Sequence, residues 1–256
     1  MTQSAPVWTI HIRIKRQDAP GLPPRWEEFA VPHHPGLSIT SCLQWITAHP
    51  VLSDGKPTTP PAWEADCLEE TCGACSMLIN GRAMPGCSTL VEKIGEADSP
   101  ITLEPLSKFP VVRDLIVDRG RLLSDLQRVK AFVPIDGTFP VGPGPAMNRT
   151  VQEARQALSR CINCACCLEA CPEYTAGNKF VGAAVINQAR LFNEHPVGSE
   201  LKAERIETLM QEGGIHDCAK SGNCVEACPK DIPLLESIAV VSRQTTLHVV
   251  RKFFGG

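Results

Sequence analysis

The 256-residue sequence is as informative in what it lacks as in what it holds. No apolar run approaches the roughly 18 residues that a membrane-spanning helix needs. Work at a membrane would therefore borrow its membrane part from partners. The opening residues, MTQSAPVWTIHIRIKRQ, alternate like a strand where a secretory leader would place a continuous apolar core. There is no G-x-G-x-x-G and no phosphate-loop lysine motif, so nucleotide and dinucleotide chemistry has no handle. Net charge is -3 with a pI near 6.2, so the basic footprint of a nucleic-acid binder is also missing. The seven His, at 11, 33, 34, 49, 195, 216 and 248, fall at no metal-ligand spacing, and His33–His34 reads as a solvated turn. Nothing resembles a site for chemistry on a substrate.

What is abundant is cysteine: 13 residues, set in clusters rather than scattered. Without a leader, a reducing location is expected, and there clustered cysteines favour metal over disulfides. Cys67, Cys72, Cys75 and Cys87 spell C-x4-C-x2-C-x11-C, the plant-type [2Fe–2S] arrangement. A loop must curl so that three thiolates converge, and the fourth arrives from a separate strand. Gly73 and Ala74 keep side chains clear, letting backbone N–H groups approach the sulfurs. The alternative, a four-cysteine zinc site, usually comes as two close pairs, which this is not.

Cys161, Cys164, Cys167 and Cys171-Pro172 spell C-x2-C-x2-C-x3-C-P. In that bacterial ferredoxin run the fourth cysteine ligates the other cluster of a two-cluster protein, so a partner run is expected downstream. Cys218, Cys224 and Cys228-Pro229 supply it, with the same closing EACP and with Ser221 standing where the second cysteine belongs. Exchanging the last ligands assigns Cys161, Cys164, Cys167 and Cys228 to a [4Fe–4S] cluster. Cys171, Cys218 and Cys224 remain for the other, and three thiolates suit [3Fe–4S], because a hydroxyl is a poor iron ligand beside thiolates. Cys166 and Cys42 are left over and read as small buried hydrophobes. Three clusters of different type suggest a one-electron relay.

Along the chain, Trp8, Ile10, Ile12 and Ile14 alternate as a half-buried strand, with a second extended piece near Phe29–Val31. A short helix is expected over Ser38–Ala48, and a loop around Pro57, Pro60 and Pro61. Asn80-Gly81 between Met77–Ile79 and Arg82–Met84 predicts a hairpin with a type I′ turn. From Val112 to Val129 the apolar residues keep a helical spacing that Gly120 interrupts, and the Lys and Arg of 119–130 read as that helix's polar face. VPIDGTFPVGPGP is a connection, Thr150 with Glu153 reads as a capping box, and further helices are expected at Ala183–Asn193, Ser199–Gln211 and Leu234–Lys252.

The three motifs in this order, with LEPLSKFPVVRDLIVD between the halves, resemble the iron–sulfur subunits of succinate dehydrogenase and fumarate reductase, the respiratory complex II family. The resemblance covers nearly the whole chain. It implies an α+β fold: a plant-type ferredoxin (β-grasp) domain over 1–112, then an all-helical bacterial-ferredoxin-like domain over 113–256. It implies the same eleven cysteine ligands, and a flavoprotein partner whose FAD oxidises succinate to fumarate. Electrons would pass through [2Fe–2S], [4Fe–4S] and [3Fe–4S] to quinone in a membrane anchor that often carries haem b. It also implies a peripheral position on the cytoplasmic face of the inner membrane. Members that reduce ubiquinone carry a Trp after the first cysteine-proline and a His after the first cysteine of the last run. Here Pro172–Ala176 lacks the Trp and Ala219 follows Cys218. That departure resembles the menaquinone-linked, dihaem branch, and implies a low-potential quinone or a different way of binding one. The same subunit could serve a quinol:fumarate reductase. A heterodisulfide-reductase-like subunit would want two complete cysteine runs, and a zinc-stabilised structural protein would be colourless.

Overall fold

The computed structural model describes residues 9–94, 99–134 and 146–254, so Trp8 and most of the Pro/Gly-rich connection lie outside the described residues. In chain order the elements are β1 (Thr9–Arg16), β2 (Arg25–Pro32), α1 (Ile39–Ala48), β3 (Ser76–Ile79), β4 (Arg82–Pro85), α2 (Val91–Ile94), β5 (Ile101–Glu104), β6 (Val111–Arg113) and β7 (Ile116–Val117). Then follow α3 (Gly120–Arg128), α4 (Arg149–Ser159), α5 (Cys166–Glu169), α6 (Gly182–Asn193), α7 (Lys202–Leu209), α8 (Asn223–Glu226) and α9 (Leu234–Phe254). Packing groups residues 1–119 with 162–169 in one unit, and 120–161 with 170–256 in a second. The sequence boundary at 112/113 ran in chain order. The packing boundary falls later, and the first unit takes back a short later segment.

In the first unit the period-2 alternation of β1 sends Ile10, Ile12 and Ile14 to one buried face. β2 pairs antiparallel to it, setting Phe29 opposite Ile12 and Val31 opposite Ile10. The five-stranded sheet runs β2-β1-β5-β3-β4, with β1 and β5 parallel. α1 lays Ile39, Leu43 and Ile46 into the same core, its first turn capped by Ser38, whose hydroxyl accepts from Ser41 N. Each such wholly buried aliphatic side chain contributes about 1.5–3 kcal/mol. Asn80 and Gly81 both take positive φ, 48° and 75°, giving the expected turn between β3 and β4.

The helix expected from Val112 is corrected. Val112, Leu115 and Ile116 belong to the β6–β7 hairpin, and only Gly120 onward is helical, so Gly120 begins α3 instead of interrupting it. The turn is fixed by Asp114 at φ 47°, whose buried carboxylate accepts from Gln17 N at 2.9 Å and Ala62 N at 2.8 Å. Arg16, wholly buried, pairs with that carboxylate at 2.9 Å and with Glu27 at 2.6 Å. A helix would forfeit all of these bonds.

The second unit is built on α6, buried along almost its whole length, with α3, α4, α7 and α9 against it. Two of its buried polar side chains, Asn187 and Arg205, are fully engaged in hydrogen bonds. Asn187 donates to Leu158 O at 3.1 Å and accepts from Ser237 Oγ at 3.1 Å. Arg205, wholly buried, donates to Lys130 O, Phe132 O and Gly198 O. The expected cap of α4 is corrected: Asn148 Oδ1 is the cap, accepting from Thr150 N at 2.9 Å, and Glu153 pairs with Arg149. Among the described residues no helix is long and apolar enough to cross a membrane.

Candidate cluster-binding sites

The loop after the prolines carries Cys67, Cys72 and Cys75, and the β4 side of the sheet returns Cys87 to it. Leu68, Glu70 and Gly73 all take positive φ, at 58°, 54° and 73°, which turns successive N–H groups toward the sulfurs. Cys67 Sγ accepts from Glu69 N at 3.4 Å and Thr71 N at 3.2 Å. Glu70 N donates to Cys87 Sγ at 3.3 Å, and Ala74 N to Cys72 Sγ at 3.4 Å. The Thr71 side chain, then the N–H groups of Glu69 and Thr71, hold the Cys67 thiol down at about 6. Burial pushes Cys75 up to about 11.

Among the described residues no three His, Cys, Asp or Glu side chains close on a single point. These four thiols come together in pairs, Cys67 with Cys72 and Cys75 with Cys87. Two irons taking two thiolates each need the four thiols divided into two pairs, as they are here. The donor set, a ring of N–H groups aimed at sulfur with no side chain at Gly73, fits a [2Fe–2S] cluster.

The segment 162–169 packs into the same unit. Asn163 at φ 51° and Ala165 at 68° turn the chain between its cysteines, and α5 closes it. Glu169 ties it down by accepting from Ser107 N, Ser107 Oγ and Lys108 N. Cys164 and Cys167 are buried here, while Cys161 and Cys228 fall in the second unit. The Cys166 thiol beside it, with help from the Arg119 charge, holds Cys164 down to about 7 despite burial. Cys166 itself is wholly buried, and the neighbouring Cys164, then burial, push its thiol far up. Cys42, in the α1 core, is pushed to about 12 by burial.

In the second unit Cys171, Cys218 and Cys224 line one open recess. Ser221 lines it too, with Ala219, Lys220 and Glu173, and Phe180, Leu235 and Ile238 supply apolar wall. Lys220 at φ 58° and Gly222 at 87° bend the chain around it, and Asn223 fastens this loop by donating to Ala170 O at 3.1 Å. Burial, then the charges of Cys218 and Cys171, push Cys224 up to about 11. Three thiols and a hydroxyl around one recess fit a cluster with three thiolate-held irons.

The reading of the 119–130 cations as a helix's polar face is corrected for Arg119 and Arg121, while Arg128 pairs with Asp125 on that face. Arg119 donates to Gly73 O and Ala74 O, both at 2.8 Å. Arg121 donates to Thr175 O at 2.5 Å and Phe180 O at 2.9 Å, and its guanidinium lies 4.2 Å from the Tyr174 ring centre. Both arginines brace cysteine-bearing loops. No signal in the residue types marked them, because the expected helix ran through 119–121 and only the structure starts it at Gly120.

A family profile described as a 2Fe-2S iron-sulfur cluster binding domain matches residues 11–124, and one described as a 4Fe-4S dicluster domain matches 157–232. The succinate dehydrogenase iron-sulfur subunit of Bacillus subtilis is 49% identical over 247 residues, 96% of each chain. The fumarate reductase iron-sulfur subunit of Wolinella succinogenes is 30% identical over 227 residues, 86% of this chain and 90% of the relative. A chain of the Mycobacterium smegmatis Sdh1 complex in the apo form has the same fold, with a TM-score of 0.80 at 23% identity, covering 97% of this chain and 99% of that one.

Proposed function

The chain belongs to the family of succinate dehydrogenase and fumarate reductase iron–sulfur subunits, and from that premise we propose a specific ligand set and electron route. Cys67, Cys72, Cys75 and Cys87 hold [2Fe–2S]; Cys161, Cys164, Cys167 and Cys228 hold [4Fe–4S]; Cys171, Cys218 and Cys224 hold [3Fe–4S]. When bound, these clusters supply one-electron redox steps. The chain's own part is to fix the thiolates, aim N–H groups at sulfur and wall off water. The observation that carries the reading is the recess where Ser221 stands beside three cysteines, since that composition distinguishes a three-iron site from a second cube.

The subunit relays electrons from a flavoprotein carrying FAD to quinone in a membrane anchor with haem b. It sits peripherally on the cytoplasmic face, in two sequence domains, 1–112 and 113–256. The stretch 172–176 without a Trp, and Ala219 in place of a His after Cys218, favour menaquinone as the acceptor. The 49% likeness to a succinate dehydrogenase subunit, against 30% to a fumarate reductase subunit, favours succinate oxidation as the physiological direction. Low-temperature EPR of the purified complex tests the assignment. Oxidised protein should give a [3Fe–4S] signal, and reduction should bring up [2Fe–2S]; absence of both would overturn it. Quinone extracted from the complex should be menaquinone, and ubiquinone alone would refute that part.

A further inference from the structure

Arg119 is placed unlike a surface cation. Its two terminal nitrogens bind the carbonyls of Gly73 and Ala74, the residues between Cys72 and Cys75. Gly73 in turn presses directly on the second cysteine run. A Cβ added there would lie 2.6 Å from Ile162 O and 2.8 Å from Cys164 Cα. The guanidinium is thus one residue away from a backbone contact that joins the two runs. Ser76 Oγ reinforces the same point, donating to Gly73 O at 3.0 Å. Among the described residues Arg119 finds only neutral carbonyl partners, and its Nε is buried without one. Among the described residues no carboxylate pairs with its guanidinium, so its charge acts on its surroundings with only solvent to screen it.

We propose that Arg119 is a positioning residue for the electron relay, which pins the Cys72–Cys75 loop against the second cysteine run and holds an uncompensated positive charge beside Cys164. Pinning fixes the backbone contact between the runs. The charge stabilises the more negative, reduced form of whatever Cys164 holds, and so raises its reduction potential. The inference rests on the assignment of Cys164 to the [4Fe–4S] set.

Redox-poised low-temperature EPR on the intact complex tests it, with Arg119→Gln, Arg119→Lys and Cys164→Ser in parallel. Arg119→Gln keeps a donor but removes the charge, and the [4Fe–4S] signal should titrate at a lower potential than in the parent. Arg119→Lys restores the charge, and its potential should return toward the parent value. An unchanged potential in Arg119→Gln, or an equal fall in both variants, overturns the proposal. If Arg119→Gln loses iron, Arg119→Lys decides: retention of the cluster near the parent potential supports the proposal, and loss of iron there too refutes it. If Cys164→Ser leaves the [4Fe–4S] signal untouched, the ligand assignment has failed instead, whatever Arg119 does.

Discussion

The loop of Cys67, Cys72, Cys75 and Cys87 and the recess of Cys171, Cys218 and Cys224 put one kind of side chain in two settings. In the loop, backbone N–H groups reach the sulfurs of Cys67, Cys72 and Cys87, and Cys67 is held down at about 6. In the recess, apolar walls and neighbouring thiols hold Cys224 up near 11. The loop therefore meets incoming iron with a thiolate already formed. Cys75 in the loop, also pushed up to about 11, and Cys224 in the recess rely on the metal to take the proton off, because thiolates and not thiols ligate. Peptide geometry organises the first site, and composition, three cysteines and a serine, defines the second.

The sharpest break of that contrast is Cys224→Ala. It should abolish the [3Fe–4S] EPR signal altogether while the [2Fe–2S] signal of the loop persists; loss of both would mean the settings are not independent. Next in size, Ser221→Cys supplies the missing thiolate. The oxidised three-iron signal should give way to a reduced-state [4Fe–4S] signal, and an unaltered spectrum would show that Ser221 does not decide the cluster type.

A third outcome follows from protonation in iron-free protein. With Cys67 near 6 and Cys224 near 11, thiolate at pH 7.5 favours Cys67 by about three thousandfold. Its lower nucleophilicity takes back about two hundredfold, which leaves roughly a tenfold faster alkylation. Mass-spectrometric labelling at pH 7.5 should show Cys67 modified first, with the gap closed by about pH 8.7 and Cys224 the faster of the two above it. The smallest effect is Gly222→Ala. That position has φ 87° and nothing nearer than a Leu235 methyl at 3.8 Å, so only backbone strain is added, about 1–2 kcal/mol. Melting temperature should fall slightly with iron content kept. Gly73→Ala, which must displace backbone, should lose iron.

Some of this was legible in the sequence because the signals are local. The Asn80-Gly81 turn and α6 declare themselves over a few residues. The cysteine spacing gave the candidate ligands for the same reason. The β6–β7 hairpin was not legible, since Val112, Leu115 and Ile116 keep helical spacing by coincidence. What overrides it is Asp114, bonded to Gln17 and Ala62 far away in sequence. The insertion of β5 between β1 and β3 is likewise a non-local choice. Arg119 and Arg121 were misread because a cation's partner carbonyls leave no trace in residue type.

The discontinuous first unit also has a consequence for how the chain is made. Residues 1–119 leave the ribosome well before 162–169, the segment that completes their packing. At about 5–20 residues per second, the nascent ferredoxin-like unit waits roughly three to ten seconds with that face open. During translation, then, the cysteine loop stays accessible to iron–sulfur delivery before the second run closes over Gly73.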